Sequence, residues 1–185
     1  MILGLSVALA GEVSRYAIVV GANDGLPTDE PLVYAEADAQ RVAQVLVDYG
    51  DVRSENVLQL RNVDADRLVG AIGDLGGRIA RRSGDQESLV FFYYSGHGDE
   101  DGLHLAGSEL AFPRLMGALA ALDVDVRVLV VDACQSGELT RIKGATPAEP
   151  FDIQVDDRLD TEGMAIITSG SIGEDAQESD RLQGG

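Results

Sequence analysis

Ser88-Leu89-Val90-Phe91-Phe92-Tyr93-Tyr94-Ser95-Gly96-His97-Gly98 is the stretch that decides the fold. Leu89 to Tyr94 is an unbroken apolar and aromatic run, without the polar alternation of a half-exposed strand. It reads as a strand buried on both faces. The run passes straight into a short polar segment bracketed by Gly96 and Gly98. The same construction recurs at Val126-Arg127-Val128-Leu129-Val130-Val131-Asp132, which leads into Ala133-Cys134-Gln135-Ser136-Gly137.

Working outward, Arg15-Tyr16-Ala17-Ile18-Val19-Val20-Gly21 is a further short, β-branched strand, and a loop rich in Gly, Asn, Asp and Pro follows it over residues 21–29. Ala35, Val42, Leu46 and Tyr49 recur near helical spacing, and Gly50 supplies a stop. Residues 57–60 read as a second strand. Asp64 can cap a helix running to about Arg82, with Leu68, Ile72, Leu75 and Ile79 on one face. Residues 103–105 suit a short hairpin strand, residues 112–122 a helix, and residues 163–169 a last strand. Buried strands alternating with amphipathic helices predict an α/β fold: a three-layer sandwich, its sheet mostly parallel, with helices on both faces. In such sheets sites lie at the carboxyl ends of strands. The 138–161 segment, with Pro147 and Pro150, reads as a long surface loop, of a length usual for functional or disordered segments.

Composition narrows the function. The chain has 185 residues, enough for one domain with a full core. Its 32 acidic residues against 14 basic ones give a net charge of −18, and no basic stripe could track a phosphate backbone. Nucleic acid is therefore excluded as a partner. The acidic field biases towards cationic partners or basic peptides, or serves solubility alone. A single cysteine rules out an intrachain disulfide and a thiolate metal cage. Residues 1–10 are apolar and end in Ala8-Leu9-Ala10, like the tail of a secretory signal, but without the usual basic start. They are too few to span a bilayer. Two readings stand: a signal remnant over residues 1–11 of an exported, periplasmic protein, or a disordered or buried N-terminus of a cytoplasmic one. Residues 12–185 form the domain proper.

In a parallel sheet the two glycine-bracketed segments emerge at one edge. Topology thus brings His97 and Cys134, 37 positions apart, towards each other. A thiol becomes strongly nucleophilic on losing its proton, and an imidazole can take that proton. Flanking glycines let backbone N–H groups approach a substrate carbonyl. Singly, each residue has a plainer reading, a core cysteine and a turn histidine. Together, Tyr94-Ser95-Gly96-His97-Gly98 and Asp132-Ala133-Cys134-Gln135-Ser136-Gly137 resemble the two catalytic motifs of the caspase and metacaspase superfamily. The resemblance runs from Tyr16 to the C-terminus.

That resemblance implies a cysteine endopeptidase in which His97 and Cys134 form the dyad and the backbone N–H groups of Gly98 and Cys134 hold the oxyanion. Its partners would be protein or peptide substrates. His104 matches no catalytic position of the family and reads as structural. Caspases that cut after aspartate carry glutamine two places before the nucleophile; here that place holds Asp132. Asp38, Ser95 and Asp132 match the acidic specificity pocket of metacaspases, which implies cleavage after Arg or Lys. Each has a plainer reading: a loop cap for Asp132, a turn for Ser95, a solvated helix residue for Asp38. No cofactor is implied. Metacaspases often bind calcium through aspartates, one of them shortly after the nucleophile, but Glu138-Leu139-Thr140-Arg141-Ile142-Lys143 has none. The acidic turn Asp99-Glu100-Asp101 suits a solvated loop, and no metal ligand is assigned.

The family continues beyond the strand at residues 163–169 with a further strand and helices, whereas this sequence stops at Gly185. The expectation is a domain that ends early or lacks a C-terminal segment of the same protein. The alternative function is then a caspase-fold interaction module without turnover. A phosphate-binding loop at Gly21-Ala22-Asn23-Asp24-Gly25 is disfavoured, since it lacks a third glycine and an immediate helix.

Overall fold

The structure is a computed structural model that describes residues 13–81, 86–133 and 163–168. The elements are β1 (Ser14–Gly21), α1 (Ala35–Tyr49), β2 (Val57–Arg61), α2 (Ala65–Ile79), β3 (Ser88–Ser95), β4 (Gly102–Leu105), β5 (Ser108–Ala111), α3 (Phe112–Ala120), β6 (Val126–Asp132) and β7 (Gly163–Thr168). A single 3-10 turn at Ser54–Asn56 precedes β2.

Five strands form one sheet in the order β2-β1-β3-β6-β7, and every pair in it is parallel. β3 and β1, the most fully buried strands of this sheet, lie at and next to its centre. That follows from sequence: a strand without polar alternation must be covered on both faces. Successive side chains then divide between two cores. Ile18, Val20, Phe92, Tyr94, Leu129 and Val131 pack with Leu68, Ile72, Leu75 and Ile79 of α2 and with Leu115 and Leu119 of α3. Ala17, Val19 and Tyr93 meet Ala39 and Ala43 of α1 on the other face. The predicted three-layer arrangement is the one observed.

Helix ends follow local chemistry. Asp64 caps α2, its carboxylate accepting the Arg67 N–H at 2.7 Å. α2 stops at Ile79, short of the expected Arg82, because Ile79 is the last residue of its buried stripe and Ala80 and Arg81 are exposed. Tyr49, counted by periodicity as part of the apolar stripe of α1, is instead 84% exposed at the helix end. α1 buries only alanines fully, Ala35, Ala39 and Ala43, so it lies close to the sheet. The closeness is sharpest at Gly21, where a Cβ would sit 2.6 Å from Glu36 Cα and 2.8 Å from the Ala35 carbonyl oxygen.

β4 and β5 form a separate antiparallel hairpin. β4 coincides with the predicted hairpin strand. β5 carries little signal of its own, since Leu110 is its one buried residue. The hairpin closes on the chain that follows β3, through an isolated bridge between Gly98 and Leu103.

Two glycine substitutions separate backbone propensity from packing. Gly21→Ala pushes a methyl into backbone and lowers stability by about 1–3 kcal/mol. Gly73→Ala, on an exposed turn of α2 with nothing within 4 Å of the added Cβ, raises stability by about 0.5–1 kcal/mol. Urea unfolding midpoints of the two variants check both signs.

Candidate active site

The site grows out of strand register. Gly21 of β1 pairs with Ser95 of β3, and Ser95 pairs with Asp132 of β6, so three strands end in one row. Backbone bonding continues just past that row. Ala22 N–H donates to the Ser95 carbonyl at 2.9 Å, and Gly96 N–H donates to the Asp132 carbonyl at 3.2 Å. Whatever follows Ser95 and Asp132 therefore leaves from adjacent points on the carboxyl edge. His97 is two residues beyond Ser95. Cys134 is two residues beyond Asp132 and lies outside the described residues, so its side chain enters here through its position in sequence.

His97 is held from several sides. Its Nε2 lies 2.7 Å from the Glu30 carbonyl oxygen, an acceptor, so Nε2 carries the hydrogen and donates it. In a neutral imidazole that leaves Nδ1 with the lone pair. The loop after β1 also presses on the ring: a Cβ on Gly25 would come within 3.0 Å of His97 Cδ2. The His97 carbonyl accepts the His104 N–H at 2.9 Å. The Tyr94 hydroxyl lies 2.7 Å from the carbonyls of both His97 and His104, and its one proton serves either. Burial, and secondarily Asp29, push the Tyr94 hydroxyl far above the usual tyrosine range. It remains a donor throughout the physiological range.

The bridge between Gly98 and Leu103 is framed by His104 N–H to His97 O and by Asp99 N–H to Gly102 O, the latter 3.0 Å. Gly98 is the non-bonded member of this antiparallel pair, so its own N–H points away from β4. That is the backbone donor the sequence resemblance assigns to an oxyanion.

A second polar chain supports the loop. Asp29 Oδ2 accepts the Leu26 N–H at 2.7 Å and meets His104 Nδ1 at 2.7 Å. Asp99 Oδ1 accepts N–H groups from Asp101 and Gly102 at 2.9 and 3.1 Å. Its Oδ2 lies 3.1 Å from His104 Nε2. Burial alone would raise both carboxyls; the backbone donors, joined at Asp29 by His104 Nδ1–H, outweigh it and hold Asp29 and Asp99 below the ordinary aspartate range. Asp29, Glu30 and Tyr94 escaped sequence reasoning. Asp29 and Glu30 act through loop geometry, which no local pattern encodes, and Tyr94 looked like core.

The three residues matched to a specificity pocket converge around Tyr93. Ser95 is buried. Burial first, then the nearby charge of Asp132 and to a lesser extent that of Asp38, push the Tyr93 hydroxyl up to about 12, against an opposing hydrogen bond with Ser95. Asp38, Ser95 and Asp132 thus all act on one hydroxyl at the carboxyl edge. Asp38 is no freely solvated helix residue. Its side chain is 15% exposed and pairs with Arg41 at 2.6 Å. His104, read as structural, is buried behind this edge.

A parallel five-stranded sheet between helical layers, with a glycine-bracketed histidine held at its carboxyl edge, defines a caspase-like α/β domain. The profile of the caspase domain family matches residues 14–181, and the chain belongs to that family of cysteine peptidases. Among solved structures, that of pro-Sf-caspase-1 superposes with a TM-score of 0.52 at 15% identity. The match covers 88% of this chain and 56% of that one, so the chain spans just over half the length of that structure. No curated protein matches the sequence significantly. Among the described residues, no helix is long and apolar enough to cross a membrane.

Tyr93 gives the site an alkaline signature. Its hydroxyl ionises near 10.0 when unfolded and near 12 when folded, so between these values the native state holds more protons. Stability is then intact below pH 10 and declines as the pH rises towards 12. Denaturation midpoints measured across this window should fall, and Tyr93→Phe should flatten the decline.

Proposed function

We propose that this domain is a cysteine endopeptidase in which Cys134 attacks the peptide carbonyl and His97 is its base. The observation that carries this reading is the bond from His97 Nε2 to the Glu30 carbonyl, made at the strand edge from which Cys134 departs. With Nε2–H committed to a carbonyl, Nδ1 is the nitrogen that accepts the thiol proton. The thiolate adds to the carbonyl carbon and gives a tetrahedral oxyanion. The backbone N–H groups of Gly98 and Cys134 receive the oxyanion. The imidazolium then returns its proton to the departing amine, leaving a thioester. Water, deprotonated by the same imidazole, hydrolyses the thioester and restores the thiol.

Asp38, Ser95 and Asp132 support a preference for Arg or Lys before the scissile bond. A carboxylate close to a buried tyrosine is costly to desolvate, and a substrate cation offsets that cost. Arg41 already neutralises Asp38. Asp132, the residue that ends β6, therefore supplies the main charge contact, and Ser95 lies beside it on the neighbouring strand. The chemistry as written uses no metal or organic cofactor.

Matched fluorogenic peptides ending in Arg, Lys and Asp test the reading. Arg and Lys peptides should be cut faster than the Asp peptide. Cys134→Ala and His97→Ala should each lower kcat/KM by at least about 10²-fold. Asp132→Asn should raise KM for the Arg peptide and narrow the preference. Faster cleavage after Asp would sink the acidic pocket, and undiminished turnover in Cys134→Ala would sink the peptidase mechanism.

A further inference from the structure

His104 is buried yet lies between two carboxylates. It sits on β4, and Glu109 stands directly opposite it on β5. Asp99 reaches the same point from the loop after β3. One ligand atom from each of Asp99, His104 and Glu109 lies within 4.8 Å of the others. From this geometry we infer a divalent transition-metal site, of the zinc class, built by His104 Nε2 with the carboxylates of Asp99 and Glu109.

Three features carry the assignment. The first is the imidazole's hydrogen. Asp29 Oδ2 lies 2.7 Å from His104 Nδ1 and accepts its N–H, which leaves the lone pair of a neutral ring on Nε2. A carboxylate behind a histidine in this way sets the tautomer and orientation that metal ligation needs. The second is the state of Nε2 itself. Its residue is only 7% exposed, and Nε2 is a buried polar atom without a hydrogen-bond partner among the described residues. Asp99 Oδ2 is 3.1 Å away, close enough for an ion pair but poorly directed for a hydrogen bond. A lone pair facing a carboxylate at that distance is repulsive until a proton or a metal ion lies between them, and a metal ion competes with the proton for Nε2. Two ligands each about 2.1 Å from one zinc ion are themselves about 3.0–3.4 Å apart. The third is the surroundings. Asp99 is fixed through Oδ1 by two backbone donors, which leaves Oδ2 for the ion. Asp99 is partly exposed and Glu109 exposed, so one side is open to solvent. Water can complete the coordination, as in zinc sites with three protein ligands.

The donor set chooses the metal. One imidazole and two carboxylates suit zinc and its neighbours, whereas calcium and magnesium favour sites made wholly of oxygen. The site tethers the β4–β5 hairpin to the segment that carries His97, whose carbonyl already accepts the His104 N–H. It is distinct from the His97 and Cys134 pair, and its role is to stiffen the segment behind that pair.

The test uses the full chain carrying Cys134→Ala, so that zinc cannot be held by the catalytic thiol. Metal-stripped protein is titrated with Zn2+ by calorimetry, and thermal unfolding is followed with and without the ion. One zinc should bind per chain and raise the unfolding temperature. Glu109→Gln, an exposed substitution, should keep the apo unfolding temperature while weakening zinc at least about tenfold. Asp99→Asn should weaken it similarly. Co2+ in place of Zn2+ should give visible absorption that Glu109→Gln alters. No binding to the Cys134→Ala chain overturns the site, as does zinc affinity unchanged in both Glu109→Gln and Asp99→Asn. Peptidase assays take no part in these readouts, so failure here and failure of the peptidase reading are separate results.

Discussion

Buried backbone must be hydrogen-bonded, and a strand covered on both faces can meet that demand only through its neighbours in the sheet. β3 is such a strand, and much of the molecule depends on how it is paired. Its bonds to β1 and β6 are parallel and in one register, ending together at Gly21, Ser95 and Asp132. The apolar run that buries β3 therefore also sets where His97 begins. α1 can seat its first turn over the end of β1 because Gly21 has no side chain there. Packing and site placement are consequences of one pairing pattern.

Beyond the strand ends, polar contacts join the apolar packing. The β4–β5 hairpin is anchored in the main core through Leu103, Leu105 and Leu110, while polar contacts bind it to the loop after β1 and to the segment after β3. Glu30 holds the His97 ring, Tyr94 and His104 hold its backbone, and Asp29 joins the loop to His104. Ala106 and Gly107 donate from the hairpin turn to the carbonyls of Asp24 and Gly25, closing the ring of contacts. Such a web is directional, so it specifies the orientation of an imidazole more tightly than apolar contacts would. It also divides labour between the two histidines. His97 sits in the half-exposed segment with one nitrogen committed, and His104 lies buried with carboxylates on either side.

The overall charge of −18 acquires local meaning around this edge. Asp29 takes donors from the Leu26 backbone and His104, and Asp99 takes them from the Asp101 and Gly102 backbone, and these hold both carboxyls below the ordinary aspartate range. Asp38 is answered by Arg41. Asp132 lies instead close enough to Tyr93 to disfavour that hydroxyl's ionisation. An acidic composition thus resolves into carboxylates that hold loops and a carboxylate, Asp132, at the carboxyl edge of the sheet beside Tyr93.

By itself the sequence determined the layers, the five strands of the parallel sheet, the helices and the two glycine-bracketed strand ends. These are local properties that burial enforces: unbroken apolar runs mark strands covered on both faces, and apolar spacing near 3.6 residues marks a helix face. Family membership was legible too, since the motifs around His97 and Cys134 are contiguous. The tertiary structure alone decided which partners meet. Glu30 lies 67 positions from His97 and Asp29 lies 75 from His104, separations no spacing rule bridges. Arg41 follows Asp38 by three residues, a helical spacing visible in sequence. Yet only the fold shows that this pair sits at the strand edge shared with Ser95 and Asp132. β5 and the burial of His104 escaped notice for the same reason: a short hairpin draws its stability from what it folds against, and a side chain's solvation is settled by elements remote in the chain.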